Sequence, residues 1–209
     1  MFPAIPPVTR TLIIACVGAY LAEMMLSGPI FSMLALWPIG TPAGVGAGVG
    51  FQPWQLVTYS FLHDPNSIWH LFFNMFALWM FGSDVERVFG PRRYATFWFA
   101  SVVSAGLAQL AFAALMGAPP SPTVGASGGV FGVLLAFGVL FPDRIIVLLI
   151  PPIPMKAWVF VILYGLLELY LGVTGTQEGV AHFAHLGGMV GGWLTLQYWR
   201  RRMPPRGGR

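Results

Sequence analysis

The stretch "TVGASGGVFG", residues 123–132, has two interpretations, and the choice between them decides the fold. Residues 125–129 match G-x-S-x-G, the pattern that presents a nucleophilic serine after a β-strand in soluble α/β-hydrolases. The preceding residues, "GAPPSP" at 117–122, form a proline-rich loop rather than a strand, since proline is excluded from central strands. We therefore expect Ser127 at the start of a helix, and the match to the soluble pattern is a coincidence of glycines.

The composition places this helix in a membrane. Of the 209 residues, 56% are hydrophobic and 9% are charged, whereas soluble domains carry about 25% charged residues. Runs of roughly 20 apolar residues mark helices that cross a hydrocarbon layer about 30 Å thick. Six apolar segments, numbered one to six here, lie at about 11–27, 68–82, 95–116, 125–141, 157–173 and 181–199. We expect a single all-α membrane domain over residues 1–209, with six transmembrane helices and a basic tail at about 200–209.

The connection between segments one and two, residues 28–67, is the one long loop. It is rich in glycine and proline, yet it carries the apolar run "IFSMLALW" at 30–37 and several aromatic residues. This mixture differs from a flexible polar linker. We expect a loop in the membrane interface, with a short amphipathic helix.

The basic residues set the orientation. With six spans and the N-terminus inside, the inner loops are 1–10, 83–94, 142–156 and 200–209, and all 11 Lys and Arg residues fall in them. This distribution follows the positive-inside rule, and it explains the net charge of +4 without a nucleic-acid partner. Both termini are therefore expected in the cytoplasm. Removal of residues 1–27 as a signal peptide is a weaker alternative, because it would leave five spans and an outer N-terminus.

Polar residues gather at the outer ends of three segments. Under this topology His70 and Asn74 begin segment two, Ser127 begins segment four, and His182 and His185 begin segment six. Polar groups at such a depth are costly, so they mark a function or a satisfied hydrogen-bond network. Cys16, the one cysteine, has no partner for a disulfide within the chain and is interpreted as a packing residue.

Two stripes of small residues on segments four and six allow close helix packing. They are Gly128, Gly132 and Ala136 on segment four, and Ala184, Gly188 and Gly192 on segment six. Ser127 and His185 each adjoin the first member of a stripe, so facing stripes would bring the hydroxyl and the imidazole within hydrogen-bonding reach. A serine becomes a good nucleophile when a base accepts its proton.

A Ser127–His185 dyad is the simpler prediction, because the acids for a triad fit poorly. Asp143 lies on the inner side, and Glu178 lies in an outer loop. Glu168, near the outer end of segment five, and Glu23 are interpreted as structural. For the oxyanion, His70 and Asn74 are four residues apart on one helix face, and the first turn of segment four adds free backbone N–H groups, including that of Ser127. No metal and no cofactor is expected.

These motifs resemble those of the rhomboid family of intramembrane serine proteases, over about residues 8–203. The family pattern G-x-S-G matches residues 125–128, A-H-x-x-G-x-x-x-G matches residues 184–192, and H-x-x-x-N matches residues 70–74. The resemblance implies that Ser127 is the nucleophile, that His185 rather than His182 is the base, and that His70 and Asn74 help form the oxyanion hole. It also implies structural roles near the site for Gly125, Gly128, Gly188 and Gly192.

Other family elements are present with small departures. The pattern G-x-x-x-E-x-x-x-G at residues 82–90 implies a structural Glu86, and His63 resembles a structural histidine of the first loop. The family's Trp-Arg pair appears as Trp54-Gln55. Phe131 stands where a tyrosine is common, one turn after the serine, and its ring is expected to pack against His185.

The resemblance implies an endopeptidase that hydrolyses peptide bonds in or near transmembrane helices, close to the outer face. Its expected partners are transmembrane protein substrates and lipid, and the oligomeric state is left open. Substrate is expected beside segment five, whose Trp158, Phe160 and Tyr164 face lipid or neighbouring helices, with loop 174–180 as a cap. A compact chain without a transit-like N-terminus favours a bacterial plasma membrane. The alternatives are a non-catalytic rhomboid-like protein, which would lack the serine or histidine, and a transporter, which would show an internal repeat.

Overall fold

The computed structural model describes residues 4–26, 29–42, 50–117, 120–148, 151–175 and 181–202, and within them the chain is mostly helical. The helices are α1 (Pro7–Leu26), α2 (Pro29–Leu34), α3 (Gln55–Thr58), α4 (Ile68–Ala77), α5 (Ser83–Phe89), α6 (Pro91–Met116), α7 (Ser127–Leu140), α8 (Ala157–Thr174) and α9 (His182–Arg202). A 3-10 turn at Tyr59–Phe61 follows α3, and a π-helical turn at Leu78–Gly82 joins α4 to α5. Each of the six apolar segments coincides with a helix, segment two with α4 and the π-helical turn.

The apolar helices make the chain a membrane protein. Three helical stretches in the described part of the chain are long and apolar enough to cross a bilayer: Pro7–Met25, Pro91–Met116 and Ala157–Thr174. Helix α7 is also apolar but shorter, with 14 residues. Large apolar side chains cover the outside of α8, where Leu166 is 58% exposed and Tyr170 is 63% exposed. Such a surface is soluble in lipid rather than in water.

The expectation of helices alone needs one correction, in the connection between α7 and α8. Two short strands, β1 (Ile145–Val147) and β2 (Pro154–Lys156), pair antiparallel in that connection, with Ile145 opposite Lys156. The run "IIV" is rich in β-branched residues, which favour extended backbone. The connection predicted as an inner loop over residues 142–156 therefore contains a small hairpin.

Helix α7 lies in the centre of the described structure, against α6, α8 and α9. Its glycines allow this position: a Cβ atom on Gly188 of α9 would lie 2.7 Å from the carbonyl carbon of Gly128, and a Cβ on Gly192 would lie 3.2 Å from the Cα atom of Gly132. On another face of α7, a Cβ on Gly129 would lie 2.7 Å from the ring of Trp98. The two small-residue stripes therefore face each other, as the sequence predicts.

The first loop packs into the helices in its described part. Ala35, Leu36 and Trp37 are buried, and Leu36 forms a β-bridge with Thr123, just before α7. Gly106 of α6 leaves room for Leu36 and for Tyr59, whose hydroxyl donates a hydrogen bond to the Val102 carbonyl. The loop therefore holds the start of α7. Residues 43–49 lie outside the described part of the chain.

Gln55, which stands where the family has an arginine, is fully buried and anchors this loop. Its Nε2 atom donates to the carbonyls of Met33 and Gly50, each at 3.3 Å. Its Oε1 atom accepts from the backbone N–H groups of Trp37 and Gln52, each at 3.2 Å. An amide carries both donors and acceptors, so a single glutamine ties together four points of the loop.

Glu86 closes the other end of the structure. Its carboxylate accepts hydrogen bonds from the backbone N–H groups of Val8 and Thr9, at 2.9 and 2.7 Å, and from the Thr9 hydroxyl at 2.7 Å. These N–H groups belong to the first turn of α1, where they lack helical partners and where a negative charge is favoured. The structural role that the resemblance implies for Glu86 agrees with these contacts.

Gly188→Ala is expected to destabilise the chain by about 1–3 kcal/mol, because the added methyl group overpacks the contact of α9 with the Gly128 carbonyl. Gly18→Ala is the matched control, since a Cβ atom on Gly18 of α1 meets nothing within 4 Å. Alanine favours a helix over glycine, so the control is expected to unfold at the same temperature as the parent or slightly above it. Thermal unfolding of the three proteins in one detergent tests this, and equal unfolding temperatures for both variants would contradict the close approach.

Candidate active site

The packing of α7 on α9 brings Ser127 and His185 together. Ser127 is the first residue of α7, and His185 lies in the first turn of α9. The Oγ atom of Ser127 and the Nε2 atom of His185 are 2.8 Å apart, the distance of a good hydrogen bond. The backbone turns into α7 through Gly125, whose φ of +125° disfavours any residue with a side chain. This places a hydroxyl beside an imidazole nitrogen that can accept its proton.

The imidazole of His185 is fixed by ring stacking. The Phe131 ring lies parallel to it, with centroids 4.3 Å apart and an interplanar angle of 7°. Tyr164 of α8 stacks on the other face of Phe131, with centroids 5.1 Å apart. The predicted packing of Phe131 on His185 is confirmed, and the stack extends to a third helix. Since the stack blocks tilting, Nε2 stays directed at the serine.

The other imidazole nitrogen of His185 contacts an acid that the sequence analysis interpreted as merely structural. Glu168 Oε2 lies 2.8 Å from Nδ1 of His185 and 2.7 Å from Nδ1 of His182. All three residues are more than nine-tenths buried, and Glu168 is only 5% exposed. The expectation that the acidic residues are poorly placed for a triad is therefore wrong for Glu168. An ionised carboxylate only accepts hydrogen bonds, so each ring would donate from its Nδ1–H group to Glu168 in its ionised form.

The periodic spacing of the buried residues on α8 is the signal that could have predicted this contact. The buried residues of α8 are Ala157, Val161 and Glu168, spaced by four and seven residues. This spacing places them on one face of the helix. Glu168 therefore lies on the inward face near the end of α8, at the level where segment six begins with His182 and His185.

The same three residues carry donor atoms of the kind that bind zinc. Oxygen and nitrogen atoms from Glu168, His182 and His185 lie within 4.8 Å of one another. The hydrogen bonds at 2.7 and 2.8 Å already pair both Nδ1 atoms with the carboxylate. A proton network therefore accounts for this cluster without an ion.

His70 lies near Ser127, at the start of α7. A Cβ atom built on Gly125 would lie 2.8 Å from Nε2 of His70 and 3.6 Å from the Ser127 hydroxyl oxygen, so both side chains border the same small space. Nδ1 of His70 accepts a hydrogen bond from the Asp64 N–H at 3.3 Å. In a neutral imidazole one nitrogen accepts and the other carries the proton. The Nε2 atom of His70 therefore carries the proton, and this N–H group borders the space beside the serine hydroxyl.

Asn74 is buried one turn along α4, 7% exposed. Its Nδ2 atom donates to the carbonyl of His70 at 2.8 Å. This contact stays within α4 and leaves the second N–H of the amide for another acceptor. The structure thus brings His70 near Ser127 and joins the Asn74 side chain to the backbone of His70.

The first turn of α7 supplies further donors. The backbone N–H of Val130 bonds to the Ala126 carbonyl, which is the first helical bond of α7. The N–H groups before it lie in the turn that has no helical acceptors, at the positive end of the helix dipole. An oxyanion formed near Ser127 would therefore meet backbone donors as well as His70.

His63 supports the site from behind. It is fully buried, its Nδ1 lies 3.3 Å from the Phe61 carbonyl, and its ring centroid is 5.1 Å from that of His70. Burial, together with the nearby His70, lowers the pKa of His63 to about 4. The ring is therefore neutral near pH 7 and packs against His70, which fits the structural role expected for it.

The remaining predicted features lie apart from this cluster. Asp143 is exposed and forms an ion pair with Lys156 at 2.7 Å, beyond the far end of α7. On α8, Trp158 is 47% exposed, whereas Phe160 stacks on Phe81. Residues 176–180, which include Glu178 and most of the predicted cap, lie outside the described residues.

The chain is similar to known proteins of one family. A family model described as a rhomboid domain matches residues 50–202. The chain is 34% identical over 145 residues to Rhomboid protein 1, mitochondrial, of Saccharomyces cerevisiae, covering 69% of this chain and 41% of that protein. It is 31% identical over 143 residues to Rhomboid protease GluP of Bacillus subtilis, covering 68% and 25%. Rhomboid protease GlpG of Yersinia pestis is 27% identical over 202 residues, covering 96% of this chain and 65% of that protein. The chain thus spans less than two thirds of each relative's length.

Proposed function

Since the chain belongs to the rhomboid family, we propose that it is an intramembrane serine endopeptidase that cleaves transmembrane proteins. The observation that carries this proposal is the 2.8 Å hydrogen bond between Ser127 Oγ and His185 Nε2. The names of the relatives from Bacillus subtilis and Yersinia pestis, each called a rhomboid protease, support the same activity.

In the proposed reaction, Ser127 is the nucleophile and His185 is the general base. The Ser127 oxygen attacks the scissile carbonyl carbon while its proton moves to Nε2 of His185. The tetrahedral intermediate collapses as the C–N bond breaks, and the leaving nitrogen takes the proton from His185. Water, activated by the same imidazole, then hydrolyses the acyl-enzyme and restores the serine.

The oxyanion hole is assigned to His70, to Asn74 and to the backbone N–H groups at the start of α7. The Nε2–H of His70 borders the same space as the serine hydroxyl, and Asn74 holds the carbonyl of His70. Donors that are in place before the reaction stabilise the developing charge without reorganisation. Gly125 leaves room for the oxyanion, because a Cβ atom there would fill the space beside His70.

The membrane arrangement follows from the sequence. We assign six spans to a single domain over residues 1–209, with both termini in the cytoplasm and the site toward the outer face of a bacterial plasma membrane. The confinement of all 11 Lys and Arg residues to the predicted inner loops supports this orientation. Transmembrane substrates would approach beside α8.

The two other functions considered for this chain fit the site less well. A non-catalytic rhomboid-like protein would not need a hydrogen bond between a serine and a histidine from separate helices. A transporter would be expected to show an internal repeat, and the sequence contains none. Covalent labelling of Ser127 by a fluorophosphonate distinguishes an enzyme from both alternatives.

Ser127→Ala and His185→Ala are each expected to abolish cleavage of a single-span substrate by the purified protein, because one removes the nucleophile and the other its base. His182→Ala is the matched histidine control: it is expected to keep measurable cleavage, since His182 bonds to Glu168 and not to Ser127. Activity of the His185 variant together with inactivity of the His182 variant would show that the base is wrongly assigned. Residual cleavage by Ser127→Ala would refute the proposed nucleophile.

Asn74→Ala is expected to lower kcat by about 10- to 1,000-fold with little change in KM, the scale for the loss of one oxyanion donor. Asn74→Asp tests the charge: it preserves the shape of the side chain but replaces the donor with a carboxylate oxygen, so its kcat should fall at least as far. Steady-state cleavage of one substrate by the three proteins gives the comparison. A wild-type kcat in either variant would remove Asn74 from the oxyanion hole.

A further inference from the structure

We propose that Glu168 is a positioning residue for His185, so that the site works as a Ser127–His185–Glu168 triad rather than a dyad. This inference rests on the proposed protease function. The acid comes from α8, while the base and the nucleophile come from α9 and α7. Three helices would therefore have to be in place for full activity.

The geometry is that of a continuous hydrogen-bond relay. Ser127 Oγ lies 2.8 Å from Nε2 of His185, and Nδ1 of the same ring lies 2.8 Å from Oε2 of Glu168. Since the carboxylate accepts from Nδ1–H, the neutral ring has its free electron pair on Nε2, the nitrogen that must take the serine proton. Phe131 prevents tilting of the ring by stacking on it, but a stacked ring can still carry its proton on either nitrogen. The tautomer is therefore set by Glu168.

The second function of the acid is electrostatic. When Oγ bonds to the carbonyl carbon, its proton passes to Nε2 and His185 becomes an imidazolium ion, while Glu168 remains ionised. Without an acid, a buried positive charge would form in surroundings of low dielectric constant. With Glu168 at 2.8 Å, the charged ring forms beside an opposite charge. In triads the acid stabilises the imidazolium in this way without taking its proton.

His182 explains how a carboxylate is kept at this depth. Glu168 is 5% exposed, and its Oε2 atom accepts a second hydrogen bond, from Nδ1 of His182 at 2.7 Å. Both distances lie in the range of charge-assisted hydrogen bonds. A buried carboxylate is tolerated when it is hydrogen-bonded in this way. Glu168 is therefore the centre of the network and His182 its support.

A purely structural role, tying α8 to α9, is the alternative, and kinetics separate the two. Glu168→Gln is close in shape and retains hydrogen bonding, but it removes the charge and allows the amide N–H to face Nδ1, which favours the wrong tautomer. We expect kcat to fall by about 10²- to 10⁴-fold with little change in KM, as for an acid-to-amide change in a serine triad. Glu168→Asp retains the charge on a shorter side chain and is expected to recover part of the lost kcat.

Asp143→Asn is the control for loss of a carboxylate, because Asp143 is exposed, pairs with Lys156 beyond the far end of α7 and lies outside the proposed site. It is expected to cleave at the wild-type rate. The assay uses the full chain in proteoliposomes with a single-span substrate, and each variant is also checked by its unfolding temperature. A chelator is included, since Glu168, His182 and His185 carry ligand atoms for a metal. Loss of wild-type activity on chelation would overturn the hydrogen-bond relay in favour of a metal site.

The comparison of Glu168→Asp with Glu168→Gln gives a readout that a tie between helices would not move. Equal losses of kcat in the two variants, with equal falls in unfolding temperature, would indicate a structural role.

Nitrogen NMR of the wild-type chain tests the inference even if the Glu168 variants fail to fold. With 15N-labelled histidine, assigned by the His182→Ala and His185→Ala variants, the neutral ring of His185 is expected to carry its proton on Nδ1. A proton on Nε2 would overturn the role of Glu168.

The failure of this inference differs from the failure of the proposed function. Cleavage by Ser127→Ala would refute the protease itself. An inactive Ser127→Ala, beside a Glu168→Gln variant with wild-type kcat, would leave a dyad and refute only the triad.

Discussion

The close approach of two helix backbones is the constraint on which the site depends. Gly188 of α9 packs on the carbonyl of Gly128 in α7, at a place where even a methyl group has no room. This contact determines the distance between two residues that are 58 positions apart in the chain, Ser127 and His185. In a membrane, the hydrophobic effect does not drive apolar helices together, because the lipid is equally apolar. Tight backbone packing therefore has to fix their register. The glycines at this contact therefore determine the geometry of the proposed site, although they have no reactive side chains.

Two buried carboxylates show how the protein keeps charge inside an apolar structure. Glu86 accepts three hydrogen bonds from the first turn of α1 and closes one end of the bundle. Glu168 accepts two hydrogen bonds from imidazole rings at the site. Both solutions supply several donors to one acid, as the cost of an unpaired buried charge requires. They differ in what the donors are: backbone N–H groups are permanent, whereas an imidazole can change its protonation state. The second arrangement can therefore respond to a reaction, and the first cannot.

The sequence predicted most of the helices and the meeting of Ser127 with His185, because both follow from short-range patterns. Apolar runs give the helices, and small residues at every fourth position give the face along which α7 and α9 pack. The hairpin at β1 and β2 was missed, since a three-residue strand leaves almost no periodic signal. The contact of Glu168 was missed for a different reason: it depends on how α8 is rotated against α9. The buried residues of α8 show which face of the helix points inward. The sequence alone does not show this face, because a helix surrounded by lipid has apolar residues on every side.

The position of Glu168 limits how a substrate could reach the serine beside α8. The acid lies in the last two turns of this helix, and its contact at 2.8 Å is short enough that a shift of a few ångströms would break it. Tyr164, one turn earlier, stacks on Phe131 and thereby supports the same imidazole. If α8 moved outward as a rigid rod, both supports of His185 would be lost when the substrate arrived. A movement of α8 that keeps Glu168 in contact with His185 would preserve the relay. In the proposed triad, the acid lies on the same helix beside which substrate is proposed to approach, so the route of the substrate and the chemistry could not vary independently.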